Sequence, residues 1–444
     1  MTRRRFLKRT AAGTAGITLG GPMIVSAAAS GSASKPAILG GKPIRSGAFP
    51  SWPVIGEGDD QAWMDVFHAK GWFNAKYVQE FETKYAAFMG AKECIATNGG
   101  TTALQTSLAA LGVGPGDEVL VPPYTFVTTI NVVLLQYAIP VFVDTDRETF
   151  QIDARKLEER ITDRTRCILP VHLGGTPADM DTILSVAKKH KLPVVEDACQ
   201  AHLAEWRGKK VGSLGDTGCF SFQVTKNLCS GEGGAILSNN AEVMDRCFSF
   251  HTNGRIRGKA ASFSYHHNGT NARMTEFQAA LLMRGMTRVE QQTETRGRNA
   301  AHLTKQLQEI PGIYPAKMYE GATRNAYHLY MFRYDQEQFA GLPRDRFIRA
   351  LNAEGIPYGG KGYSPLNKEP FLKDTLYSRG YQRIYSREYL DKYFENNNYP
   401  ENDRLCGEAI WFFQTMFLGT QNDMDQVAEA IRKIHANASA IAKA

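Results

Sequence analysis

From about residue 77 onward, apolar positions recur along this chain in two alternating rhythms. Residues 77–89 and 102–111 repeat them at helical spacing, and Gly112-Val-Gly-Pro-Gly116 closes the second of these helices. Further helices are predicted over 130–137, 180–190 and 275–295. Between them lie short apolar runs at 118–121, 141–144, 167–171, 194–197, 218–221 and 235–237, each read as a strand. Strands that alternate with helices predict an α/β fold, a mostly parallel sheet sandwiched by helices. In such sheets, binding sites lie beyond the carboxyl ends of the strands.

After residue 295 the character changes. Helices at 300–310, 344–354 and 423–436 mix with shorter strands such as 329–333. This divides the chain into a large domain over 76–295 and a smaller α+β domain over 296–444. Residues 30–75 precede both. Residues 30–36 read as a flexible linker. Residues 37–75, rich in Gly, Pro and Trp, read as an arm lying on the body.

Composition adds one correction to a first impression of basicity. The formal charge is +7, but Arg3, Arg4, Arg5, Lys8 and Arg9 account for five of it, leaving +2 for the rest. A near-neutral body offers no electrostatic case for nucleic acid or an anionic membrane. The first 29 residues read as a targeting segment: a basic start, a weakly apolar stretch over about 11–25, then Ser26-Ala-Ala-Ala29 suited to a signal peptidase. Thr2-Arg-Arg-Arg-Phe-Leu-Lys8 resembles the twin-arginine export signal. That implies delivery to the periplasm or the extracellular space, or residence in the cytoplasm if the signal is unused. No later stretch is long and apolar enough to span a bilayer. The seven cysteines are scattered without C-x-x-C spacing, so neither a zinc site nor a disulfide framework is indicated.

The chemistry concentrates around one lysine. Cys219-Phe-Ser221-Phe-Gln-Val-Thr-Lys226 places it just past a predicted strand, ahead of the turn glycines 231, 233 and 234. The run Val194-Val-Glu-Asp197 delivers a carboxylate to the end of another strand. A buried lysine and a buried acid from neighbouring strands suit pyridoxal phosphate (PLP). The lysine would form the Schiff base, and the acid would hold the ring nitrogen protonated. Asn98-Gly-Gly100-Thr101 opens a helix, where free N–H groups and the helix dipole favour a phosphate. Phe126, after Val121-Pro-Pro-Tyr-Thr, could stack on an aromatic ring, although a phenylalanine there is more often core. Glu196 alternates to the other face of its strand and is set aside. His202 reads as a satisfied core imidazole, while His172 fits core packing and site lining equally.

Taken together, these motifs resemble the DegT/DnrJ/EryC/StrS family of sugar aminotransferases over about 37–436. The arm Leu39-Gly-Gly-Lys-Pro-Ile44, the Ser221-Phe-Gln run and Ala350-Leu-Asn-Ala-Glu-Gly355 are most similar to the branch that makes aminated cyclitols and aminohydroxybenzoate. The resemblance implies the fold-type I architecture of PLP-dependent transferases. It also implies a role for each motif residue: Lys226 as the Schiff-base lysine, Asp197 on the pyridinium nitrogen, Gln200 near the ring hydroxyl, and Phe126 stacked on the ring. Gly100, Thr101 and Ser221 would cup the phosphate. Asn271, in Gly269-Thr-Asn271-Ala-Arg273, would reach across a homodimer interface to the partner's phosphate, making each site shared. The family commonly has aromatics where Thr270 and Ala272 stand. His328 and Tyr330, in Arg324-Asn-Ala-Tyr-His328-Leu-Tyr330, are candidate substrate contacts.

The implied reaction is transamination, from glutamate or glutamine to a keto-sugar or keto-cyclitol, with Lys226 moving the proton and no metal. Relatives that act as dehydratases carry histidine in place of this lysine. Two alternatives stand beside it: sugar dehydration on the same scaffold, and an exported binding or sensing protein without turnover.

Overall fold

The computed structural model describes residues 35–258, 265, 267–357 and 360–444. The predicted export segment and most of the linker lie outside these residues. Seven strands build the main sheet: β1 (Glu93–Thr97), β2 (Glu118–Val121), β3 (Ile139–Phe142), β4 (Thr165–Ile168), β5 (Val195–Asp197), β6 (Thr217–Ser221) and β7 (Gly234–Ser238). Their spatial order is β1-β7-β6-β5-β4-β2-β3, with β5 joined to β4 through the parallel bridges Ile168↔Val194 and Val171↔Asp197. Only β7 runs antiparallel to its neighbours. The sheet is therefore mostly parallel, and its strands are apolar runs buried on both faces, as a helix-covered sheet requires.

The covering helices include α1 (Asp59–Ala69), α2 (Lys76–Met89), α3 (Gly100–Ala110), α4 (Thr128–Leu135), α5 (Met180–His190), α6 (Ala241–His251) and α7 (Glu276–Leu307). The last of these is one continuous helix of 32 residues. The helices predicted at 275–295 and 300–310 are its two halves, so the division at 295/296 falls inside it. Polar Arg296, Arg298 and Asn299 interrupt the apolar spacing there. Arg296 and Asn299 are nonetheless buried, because they bond the backbone and side chains of residues 414–419.

A second, antiparallel sheet is made of β8 (Ile313–Pro315), β9 (Leu329–Tyr334) and β10 (Ala409–Phe413), in that order. It packs with residues 300–310, 339–356 and 416–441 into its own apolar core, which Phe49 of the arm also enters. Residues 366–399 return to the first core, where Leu372, Leu376, Tyr381 and Leu390 are buried. The arm is anchored at Glu354. This buried carboxylate accepts from Ala37 N (2.8 Å), Ile44 N (3.0 Å) and Lys433 Nζ (2.9 Å). A buried acid with three donors holds the arm more firmly than apolar contact alone would, because leaving it unpaired is costly.

Candidate active site

Parallel strands β5 and β6 end side by side, with Cys219 paired to Asp197. Their carboxyl ends, the start of α3 and the loop before α4 enclose a cavity of about 620 Å³. Gly100, Thr101, Phe126, Asp197, Gln200, Ser221, Lys226 and His328 all line it. Residues spread over more than two hundred positions of sequence are thus brought to one place, because parallel strands deliver their carboxyl ends to the same sheet edge.

The α3 end of the cavity is built to take an anion. Gly99 caps α3 in extended backbone and gives no side-chain hydrogen bond, so the first N–H groups of the helix are left for a ligand. Gly100 must be glycine for a packing reason. A Cβ there would meet Ser221 Cβ at 2.7 Å and Cys199 Sγ at 2.9 Å. Ser221 accepts from Gln223 N at 3.3 Å, and its hydroxyl proton remains available.

Asp197 is buried, and its geometry is fixed from two sides. Oδ2 accepts from Thr129 Oγ1 at 2.9 Å, Oδ1 accepts from Cys199 N at 3.2 Å, and Thr129 in turn meets Thr125 at 3.0 Å. Spare acceptor capacity remains on a carboxylate with two donors. Glu196, its neighbour, faces away. It receives His172 Nε2 (2.9 Å) and the N–H groups of Gly212, Leu214 and Gly215 (2.7–2.8 Å). His172 Nδ1 accepts from Ala178 N, so both of its nitrogens serve packing rather than the cavity.

Lys226 sits in the turn after β6. Among the described residues its amine has no hydrogen-bond or ion-pair partner. Burial pushes the amine below its ordinary range, only partly offset by the Cys199 thiol and the Asp197 carboxylate. The turn itself is pinned from several directions. Trp52 of the arm donates to Val224 O (2.6 Å), Gln414 Nε2 to Thr225 O (3.5 Å), and Asn227 Nδ2 to Ala326 O (2.7 Å). Phe126 leaves 54% of its surface exposed, an unusual posture for a large apolar ring and one that suits a stacking partner.

Gln200 is held across the cavity floor, accepting from Gly174 N (2.8 Å) and donating to Tyr363 Oη (3.1 Å). Tyr363 and Trp411, with ring centroids 4.7 Å apart, form an apolar wall that local sequence motifs did not reveal. Thr125, in the loop before α4, and Thr129, in its first turn, were missed too, because only the folded loop brings their hydroxyls together.

Two expectations need correction. Tyr330 does not line the cavity. Strand alternation turns it into the second core, where it stacks on Phe417 (5.0 Å) and its hydroxyl meets Thr304 (2.7 Å). His202 is core, packed against Phe220 and Phe222, but it is not satisfied: neither ring nitrogen has a partner. Burial, with Lys226 and Arg296 nearby, pushes its pKa down to about 3, so the ring stays neutral. Asn271 is exposed, pairs with Arg273 Nε (2.9 Å) and does not line its own chain's cavity. A smaller cavity of about 240 Å³ behind the lysine turn, lined by Trp52, Cys229 and Arg288, holds none of the predicted site residues.

An open helix terminus, an unpartnered amine and a positioned carboxylate in one cavity define a candidate enzyme site. The chain belongs to the DegT/DnrJ/EryC1/StrS aminotransferase family, which it matches over residues 53–394. It is 34% identical to an L-glutamine:2-deoxy-scyllo-inosose aminotransferase of Streptoalloteichus tenebrarius, over 90% of this chain and 97% of that protein. It superposes on the crystal structure of 3-amino-5-hydroxybenzoic acid synthase with a TM-score of 0.78 and 29% identity, covering 89% of this chain and all of that one. A structure of NtdA from Bacillus subtilis with bound cofactor PMP matches with a TM-score of 0.74 and 25% identity, covering 88% of this chain and 86% of that one.

One expectation follows from the unpaired amine. In cofactor-free protein, Lys226→Met should raise the urea midpoint at pH 7, because an unpaired, half-buried cation is replaced by an apolar chain of similar length. The folded amine binds its proton less tightly than the unfolded chain does. The wild-type penalty is therefore fully present below the folded pKa and fades as pH rises toward the ordinary 10.5. Midpoints compared from pH 7 to 10.5 check this. An advantage that grows with pH would contradict it.

Proposed function

We propose that this enzyme uses PLP to move an amino group from L-glutamine or L-glutamate to the keto group of a cyclitol or sugar. The observation that carries the reading is the free Lys226 amine sharing one cavity with Asp197. The name of the Streptoalloteichus tenebrarius relative supports glutamine as donor and a cyclitol as acceptor. Bound PLP would supply an electron sink and a carrier for the amino group.

The chain's own groups divide the work. The first N–H groups of α3, at Gly100 and Thr101, and the Ser221 hydroxyl are positioned to bind the phosphate. Asp197, oriented by Thr129 and Cys199, would present its spare acceptor oxygens to the ring nitrogen. The lowered proton affinity of Lys226 leaves more of its amine neutral, the form that can take a proton from the donor's Cα. Phe126 covers one ring face and Gln200 serves the ring hydroxyl, roles taken from the family. A free amine in this position favours turnover over a binding-only role. L-Glutamine should bleach the visible absorbance of the holoenzyme, and Lys226→Ala should lower turnover by roughly 10²- to 10⁴-fold or more. Full activity in that variant would overturn the mechanism.

We further propose a homodimer in which Asn271 of each subunit serves the other's phosphate. Asn271 is exposed and outside its own cavity, and Trp63, Phe67, Trp72 and Phe73 are exposed on the α1 side of the molecule. Large exposed aromatics mark interaction surfaces. Mixing subunits that carry Lys226→Ala with subunits that carry Asn271→Ala, at limiting cofactor, should recover about a quarter of wild-type activity through the one intact site of each heterodimer. No recovery would mean that each site is built from one chain.

The Arg3-Arg-Arg-Phe-Leu-Lys8 run supports export by the twin-arginine route. Among the described residues no helix is long and apolar enough to cross a membrane. Replacing Arg3 and Arg4 by lysine should retain the protein in the cytoplasm on cell fractionation. Unchanged export would reject the targeting reading.

A further inference from the structure

His328 stands immediately before β9 and forms part of the cavity wall. One side of its ring meets Asn227, the residue next to Lys226. Asn227 Nδ2 donates to Ala326 O at 2.7 Å, which settles the orientation of the amide. Its Oδ1 therefore faces His328 Nδ1, 3.2 Å away. An amide oxygen only accepts, so Nδ1 must carry the ring proton. A neutral imidazole protonated at Nδ1 keeps a lone pair on Nε2.

Among the described residues Nε2 makes no hydrogen bond, and unlike both nitrogens of His202 it is not sealed from the cavity. The ionisable groups that face the ring are Lys226 from the turn after β6, His202 from the segment after β5, and Arg296 from α7. None is a carboxylate. Burial, reinforced by these groups, holds His328 well below the ordinary histidine range, so no second proton competes for Nε2. The Tyr363 and Trp411 rings line the same cavity and present flat apolar surface.

We propose that His328 accepts a hydrogen bond through Nε2 from a hydroxyl of the amino acceptor, and that Asn227 is the positioning residue that sets its tautomer. The inference rests on the aminotransferase reading and deepens it. The acceptor it selects is a polyhydroxylated cyclic ketone, with C–H faces toward the aromatic wall and one hydroxyl donating to the imidazole. An unmet acceptor in a buried wall discriminates strongly against analogues that lack the matching donor.

The two half-reactions of the holoenzyme separate the possibilities, with L-glutamine as donor and scyllo-inosose and its deoxy analogues as acceptor probes. Wild type should reject one deoxy analogue by roughly 10- to 100-fold in acceptor kcat/KM. His328→Phe should abolish that discrimination, and His328→Gln, which restores an acceptor oxygen, should recover part of it. Nitrogen-15 spectra of histidine-labelled wild-type protein should show His328 protonated at Nδ1 and bare at Nε2. Asn227→Asp should raise the pKa of that ring, because a carboxylate favours the imidazolium. A His328 found protonated at Nε2, or discrimination among the analogues unchanged in His328→Phe, overturns the assignment. Failure of wild type to react with any amino donor instead removes the aminotransferase reading, and the tautomer measurement still decides the state of His328.

Discussion

A half-buried amine without a partner is unstable by itself, and much of this site is arranged around keeping one in place. Lys226 cannot be held through its own head group if that group is to react. It is held through its neighbours instead. Val224, Thr225 and Asn227 are bonded to the arm, to Gln414 and to the 326–328 segment. Gln414 is itself oriented by Arg296, whose guanidinium is buried on α7. Contacts from three distant parts of the chain thus pin the backbone on both sides of the lysine and leave its side chain free. Preorganisation of this kind places the cost in folding rather than in the reaction.

Two adjacent carboxylates show how strand alternation divides structural from chemical work. Glu196 and Asp197 are neighbours on β5 and both buried. Glu196 is saturated with four donors and secures the 212–215 loop and His172. Asp197 receives two donors and keeps acceptor capacity on the cavity side. Opposite faces of one pleated strand meet opposite environments, so one residue step separates an anchor from a working group. The surrounding imidazoles follow the same economy. His202 and His328 are both neutral through burial, near Lys226 and Arg296, which keeps further positive charge away from the cavity.

Much of the fold was legible because apolar spacing fixes where strands and helices lie. The residue at a strand's end then follows from where the run stops, which is how Asp197, Ser221 and the lysine turn could be placed together. Gly100 was readable only beside Lys226, since a glycine pair opening a helix is as often a plain turn and cap. Less was legible where elements depend on pairing between distant segments. The continuous helix Glu276–Leu307 was split in the reading because its polar residues look like an interruption. They are buried by contacts that local spacing does not contain. Tyr330 was misplaced for a related reason: a strand's period is visible in sequence, but which of its two faces meets the cavity is not.

The amino-acid order alone determined the alternating α/β framework, the lysine, the acid and the open helix terminus, because each follows from local spacing and backbone chemistry. Tertiary structure alone decided the aromatic wall of Tyr363 and Trp411, the Thr129 bond that orients Asp197, the unsatisfied core position of His202 and the tautomer of His328. These depend on which distant segments pair and in what register: Leu329 sits opposite Phe413, and Gly360 opposite Trp411. Register between segments is settled by the packing of whole surfaces, a property that no short window of sequence carries.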